Sequence, residues 1–263
     1  MAVMDEFKEE RARMKQQPLK KRLEYFWDYH KYHVLAGGFV LFFVVDMIYS
    51  MLTAKDTAFM AILLNSAHDE AKAATYTEAL TTAMGINASK EQLMIDTSIH
   101  ITGDGTDYES SQVLSVRVGA NEMDVMLADA DTFGTYVRSE LFIDLREVLT
   151  EEQIAYYEDD FYYMDYALIE SGYYDELAFD ANTVFVDTLD HTTPEGMEKP
   201  VPVGIYMDSF SEDFNECYRI GGTPPVFGIA GYCDEQRISY SVQYLDYISG
   251  RVPLEVEFVA TTE

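Results

Sequence analysis

MDVMLADADTFGTYVRS, residues 123–139, is the stretch on which the fold turns. Its first five residues form a short apolar run that reads as a buried strand, and residues 131–139 read as a short helix after an acid-rich connection. The same alternation extends in both directions. Upstream, AFMAILL (58–64) predicts a strand and residues 69–84 a helix stopped at Gly85. Residues 93–99 predict a second strand and 109–118 a helix stopped at Gly119. Downstream, residues 151–158 and 162–169 read as helical. TVFVDT (183–188) and VPVGIY (201–206) read as strands of a hairpin around the turn-rich LDHTTPEGMEKP. Residues 225–230 predict another strand, and 234–248 a helix before Gly250. Short apolar runs alternating with longer helical ones predict a layered α/β domain, and a length of roughly 200 residues suits a single one.

Ahead of this domain lies VLAGGFVLFFVVDMIYSML, residues 34–52. As a helix this stretch is about 28 Å long, close to the ~30 Å hydrocarbon thickness of a bilayer. Tyr25, Phe26, Trp27, Tyr29 and Tyr32 crowd one end and Tyr49 lies near the other, as amphipathic rings do at membrane interfaces. Eight of the 18 Lys and Arg, but six of the 47 Asp and Glu, precede Tyr32. The positive-inside rule then predicts a cytoplasmic tail over 1–31, a transmembrane helix over 32–54 that uses the lipid bilayer as its partner, and an extracellular domain over 55–263. A cleaved signal peptide competes, but the preceding tail is long and Leu52-Thr53-Ala54 is a poor cleavage site. Pro18 can open a helix over LKKRLEYFWDYHKYH that lies in the interface and turns into the span, while residues 1–17 form a solvated helix or tail. Asp46 is an acid within the span, off-centre and six residues, or about 9 Å of helix, from Leu52, where water or a proton can satisfy it; the other reading is a contact with a polar group on another membrane helix, helped by the small Gly37-Gly38 pair.

From Tyr32 onward the chain holds the other ten bases and 41 acids, within a formal net charge of -29. That field repels phosphates, which excludes nucleic acid as a partner, and favours cations and basic surfaces. Cys217 and Cys233 stand on the exterior side of the span, where a disulfide can form; two free thiols are the alternative.

The segment GANEMDVMLADADTFGTYVRSELFIDLREVLTEEQIAYYEDDF (119–161) resembles the first lobe of type 2 extracellular solute-binding proteins of bacterial ABC importers. The shared pattern is a small-residue turn, a strand carrying Asp-Val, an acid-rich loop, a short helix and a phrase like G-L-F-x-D-L. Phe142, Asp144 and Leu145 match that phrase, with Glu140 where glycine is common. KPVPVGIYMDS (199–209) and PVFGIAGYCDEQRISYSVQYLDYISG (225–250) resemble the returning strand and the closing strand and helix of that lobe. The opening K-K-x-L-E-Y-F-W-D-Y, residues 20–29, resembles that of single-pass proteins of Gram-positive anaerobes. The resemblance implies a three-layer, doubly wound α/β sheet, a single lobe of a type 2 periplasmic-binding-protein fold. The stretch after Asp208 is too short for a second lobe, so it implies a lobe without its lid.

A ligand of such a sheet sits at the carboxyl ends of the strands. Three places qualify: Asn65 and Ser66 after the first strand, Asp129 and Asp131 after the third, and Tyr206 and Asp208 at the returning strand. Their amide, hydroxyl and carboxylate groups suit a polar small molecule, and Asn, Ser and Asp at these places also suit plain helix caps.

No catalytic motif is present: there is no G-x-S-x-G, H-E-x-x-H or Walker loop, and GDGTD (103–107) lacks the lysine of a phosphate cradle. The acids Asp104, Asp107 and Glu109, and the run 158–160, do not follow a calcium-loop spacing, so neither metal nor cofactor is expected. YYEDDFYYMDY (156–166) reads as core-filling rings or as a contact surface. The expectation is a non-enzymatic exterior binding or interaction module, for a polar solute or an envelope protein. The alternative is an accessory subunit of a membrane complex held through its span.

Overall fold

The computed structural model describes residues 18–101, 108–174, 188–221, 224–256 and 258. Within helix 19–53 the side chains of residues 21–26, 28–30 and 52 are not described. The chain divides into two compact units, residues 1–54 and 55–263.

The described part of the first unit is one helix, α1 (Leu19–Thr53), entered from Pro18 in an extended conformation. The helix expected to open at Pro18 and feed directly into the span is present, and no break separates the two stretches. Nothing between residues 19 and 36 is a helix breaker, and Gly37-Gly38 is carried through. The segment Lys31–Met51 is long and apolar enough to cross a membrane.

The second unit is a mixed α/β domain. Its strands are β1 (Asp56–Leu63), β2 (Ser66–His68), β3 (Glu91–Asp96), β4 (Val125–Asp129), β5 (Phe161–Asp165), β6 (Pro200–Tyr206), β7 (Tyr218–Ile220) and β8 (Pro225–Ile229). Its helices are α2 (Glu70–Ala83), α3 (Tyr108–Gly119), α4 (Ala130–Val137), α5 (Glu151–Tyr157), α6 (Tyr166–Glu170), α7 (Glu212–Cys217) and α8 (Glu235–Ile248). The main sheet runs β3-β1-β4-β8-β6-β5, and β2 pairs with β7 in a small second sheet. β3, β1 and β4 are parallel, whereas β8, β6 and β5 join antiparallel. The doubly wound expectation thus holds for half of the sheet, and the other half corrects it.

Side chains alternate across β1. Phe59, Ala61 and Leu63 enter one core with Tyr76 and Leu80 of α2 and Tyr244, Leu245 and Ile248 of α8; Met60, Ile62 and Leu64 enter the other with Leu114 of α3 and Phe133 of α4. Helices therefore cover both faces, which makes three layers. Caps fix where the helices begin. Asp69 and Asp234 accept from the third backbone N–H beyond them, and Thr150 with Gln153 forms a capping box at α5.

The helix expected over 162–169 is corrected to a strand followed by a short helix. FYYMD is rich in rings that favour a half-buried sheet, and it pairs antiparallel with β6 as an outer strand. Asp165 closes β5 and caps α6 through Ala167 N, and it also accepts from Glu198 N and Lys199 N. Burial works against its ionised form, but those N–H groups hold its carboxyl below the ordinary carboxylate range. The expected hairpin partner at 183–188, the tail 1–17, GDGTD and the acids Asp104 and Asp107 lie wholly or largely outside the described residues.

The disulfide is also corrected. Cys217 and Cys233 are free and buried, the first in the core beneath α2 and α8 and the second in the core on the other face. The sheet separates them. Cys233 instead meets Asp124, a carboxylate 1% exposed that also accepts from Met60 N and the Arg237 guanidinium.

Candidate functional site

The strand order creates one special place. From β1 the chain passes through α2 to β3 on one side, then through α3 to β4 on the other, with α2 and α3 on opposite faces. The carboxyl ends of β1 and β4 therefore flank a topological switch point, where open α/β sheets leave a crevice. A cleft of about 750 Å³ lies there, lined by Asn65, Ile101, Ser111, Asp129, Asp131, Thr132, Thr135 and Tyr136.

Each wall residue has a local reason for its position. Asn65 follows β1 with φ +53°, a left-handed conformation that asparagine tolerates better than most residues. Its Oδ1 accepts from Ile101 N at 2.7 Å, its Nδ2 donates to Ile101 O at 2.8 Å, and its own N–H donates to Ile99 O at 3.1 Å. Asn65 thus works as a clamp on the segment after β3. Its Nδ2 also lies 3.4 Å from Asp129 Oδ2. Asp129 caps α4, accepting from Thr132 N at 3.0 Å and Thr132 Oγ1 at 2.9 Å. Asp131 follows in the first turn of α4 and is exposed, as is Thr135. The half-buried phenol of Tyr136 is pushed up by burial.

Of the six residues expected at the site, Asn65, Asp129 and Asp131 line this cleft. Tyr206 ends β6 half-buried. Burial, then Asp190 and Asp131, pushes its phenol up to about 12, so it stands within electrostatic reach of Asp131. Its ring lies 5.5 Å from that of Tyr162, which stacks on His191 at 4.5 Å and 6°. Ser66 does not join them: it is buried and donates to Leu63 O at 2.7 Å as part of the small sheet. Asp208 is exposed and keeps company with Asp160, whose carboxyl is raised by burial and then by Asp208 and Asp159. The residues that sequence reasoning missed are Ser111, Thr132, Thr135 and Tyr136. The one available signal was their helical spacing behind Asp129 and at the start of α3.

What holds the cleft's wall in place is Phe133. Its ring stacks on Phe142 at 4.3 Å and covers the surface of β6 and β8 where those strands carry Gly204 and Gly228. A Cβ on Gly228 would stand 2.5 Å from the Phe133 ring, and one on Gly204 would stand 2.9 Å from it. The two glycines thus let α4 approach the sheet.

A larger depression of about 1040 Å³ runs along α3, lined by that helix and Glu122 in the loop after it, with Tyr108, Val113 and Val116 exposed. No second element converges on it with polar groups among the described residues. Nor, among those residues, could any group of three or more His, Cys, Asp or Glu hold a metal ion. Compared with known protein families, curated proteins and solved structures, the chain finds no match.

Proposed function

We propose that the protein is a membrane-tethered, non-catalytic binding module whose α/β domain stands outside the cell and holds a polar small molecule in the switch-point cleft. The observation that carries the reading is that cleft: an amide, two carboxylates and four hydroxyl-bearing side chains converge where β1 and β4 end. Among the described residues no lysine or arginine lines it, so an uncharged or cationic solute is favoured over an anion. Neither a cysteine nor a histidine among the described residues lines it, which favours binding over thiol or imidazole chemistry. The eight Lys and Arg ahead of the span support the orientation, with the tail in the cytoplasm.

The test is a thermal-shift screen of residues 55–263 against sugars, amino acids, peptides, nucleosides and calcium. A ligand at 100-fold its dissociation constant adds about 2.7 kcal/mol, which raises Tm by about 5–10 °C for a domain of this size. Asp131→Ala, an exposed change, should leave the unliganded Tm in place and remove the shift. A screen without a shift, or a shift that Asp131→Ala and Asn65→Ala both keep, would sink the reading.

A further inference from the structure

The span carries information beyond anchorage. Of residues 34–52, the side chains with polar groups are Asp46, Tyr49 and Ser50. At about 100° per residue on an α-helix they fall on one face, within about 60° either side of Asp46. The opposite face carries Leu41, Val44 and Ile48. The Asp46 face continues in alternating steps of three and four residues through Tyr32, Leu35, Phe39, Phe42, Asp46, Tyr49 and Thr53. That spacing keeps one stripe against a neighbouring helix. Its rings are more than half exposed, and Asp46 is exposed with them.

We propose that this face of α1 is a docking seam for a second transmembrane helix that carries a lysine or arginine at the depth of Asp46. A carboxylate within a bilayer is costly, about 2.5–3.5 kcal/mol at a helix centre, and such groups turn toward partners rather than lipid. Asp46 stands six residues from Leu52, or about 9 Å of helix, too deep for its short side chain to reach the far headgroups freely. Charge decides the occupant. In a parallel pair of this chain the seam would set Asp46 against Asp46, and each copy would bring a remainder with ten bases and 41 acids. A basic side chain satisfies the carboxylate without that repulsion. The inference rests on α1 crossing a membrane, which the proposed function includes, but not on any ligand of the cleft.

The full chain is reconstituted in phosphatidylcholine vesicles with a synthetic apolar helix, long enough to span and bearing one lysine at the matching depth, and association is read by energy transfer between labels. A control helix has leucine in place of the lysine. Association of the lysine helix should be about tenfold tighter with the natural chain than with Asp46→Ala, and Asp46→Glu should retain it. The leucine helix should not distinguish the variants. Equal association of both probes with natural chain and variant overturns the seam, as does self-association of the chain that Asp46→Ala abolishes. Alkaline carbonate extraction in the same vesicles separates the two failures. A chain released by carbonate overturns the span itself, and a retained chain without preference for lysine overturns the seam alone.

Discussion

Replacing Gly228 with alanine should unseat Phe133, and the cost can be worked from the geometry. The new methyl would lie 2.5 and 2.6 Å from Phe133 Cε2 and Cζ and 2.8 Å from Phe142 Cδ1, where ordinary contact begins near 3.4 Å. Neither ring can retreat into solvent, since Phe133 is 0% and Phe142 3% exposed, and β8 lies between β4 and β6 within the sheet. Overpacking of a filled core costs about 1–3 kcal/mol, and two blocked rings put this site near the upper end, about 3 kcal/mol. At roughly 2–4 °C per kcal/mol for a domain of this size, Tm should fall by about 6–12 °C. Thermal and urea denaturation of residues 55–263 measure it. Phe133→Leu removes the two closest contacts but leaves Phe142 Cδ1 at 2.8 Å, so in that background Gly228→Ala should cost about 1.5 kcal/mol, a coupling of about 1.5 kcal/mol. If the alanine moves Tm by less than about 2 °C, or costs the same in both backgrounds, the glycines are not what seats the ring.

Three further outcomes follow from buried polar groups. Asp165→Asn sets an amide N–H₂ or a weaker acceptor against three backbone donors and should cost about 1–3 kcal/mol at neutral pH. The folded carboxyl lies below its ordinary value, so its stabilisation is complete above about pH 4 and is lost as pH falls through the folded value. Acid titration of stability should accordingly be shallower in the asparagine variant, and parallel curves would argue against the assignment. Arg237→Met leaves Asp124 buried without its cation and should cost about 3–5 kcal/mol by urea denaturation, a deficit that shrinks in mild acid as the orphaned carboxyl takes up a proton. Burial, opposed by nearby lysine or arginine, pushes both thiols up to about 12, so neither should react with a thiol reagent at pH 8 until the domain unfolds. Urea curves with and without reductant should then coincide, and a reductant-sensitive midpoint would reveal a bond the two cores forbid.

The parallel half of the sheet was legible because its signals are local. AFMAILL and MDVML are apolar runs too short for helices, and Asp69, Gly85 and Gly250 punctuate the helices beside them. The strand at 161–165 was not, because FYYMDY follows a true helix without a proline or glycine stop and its rings fit either period. Only pairing with β6, far along the chain, decides it. Ser66 illustrates the same limit at the site: a serine after a strand looks like a ligand group, but its neighbour Asn65 turns into the cleft while Ser66 enters a two-stranded sheet with residues 218–220. That partner comes near the other end of the domain's sequence, beyond any local pattern. Asp129 was found for its carboxylate, yet much of its capacity is already taken by Thr132 and Asn65, which leaves Asp131 the freer group.

The place of β8 in the sheet bears on how the domain is made. It sits between β4 and β6, yet it is the last strand of the sheet to leave the ribosome, long after β4. At synthesis rates of about 5–20 residues per second, β4 waits roughly 5–20 s with one edge unpaired, and β6 cannot join the parallel half at all before β8 arrives. Closure is therefore late, long-range and all at once, the topology of a slow folder with aggregation-prone intermediates. A chain truncated before residue 225 should not give a smaller stable domain, because β4 and β6 would each lose the neighbour that joins the two halves of the sheet.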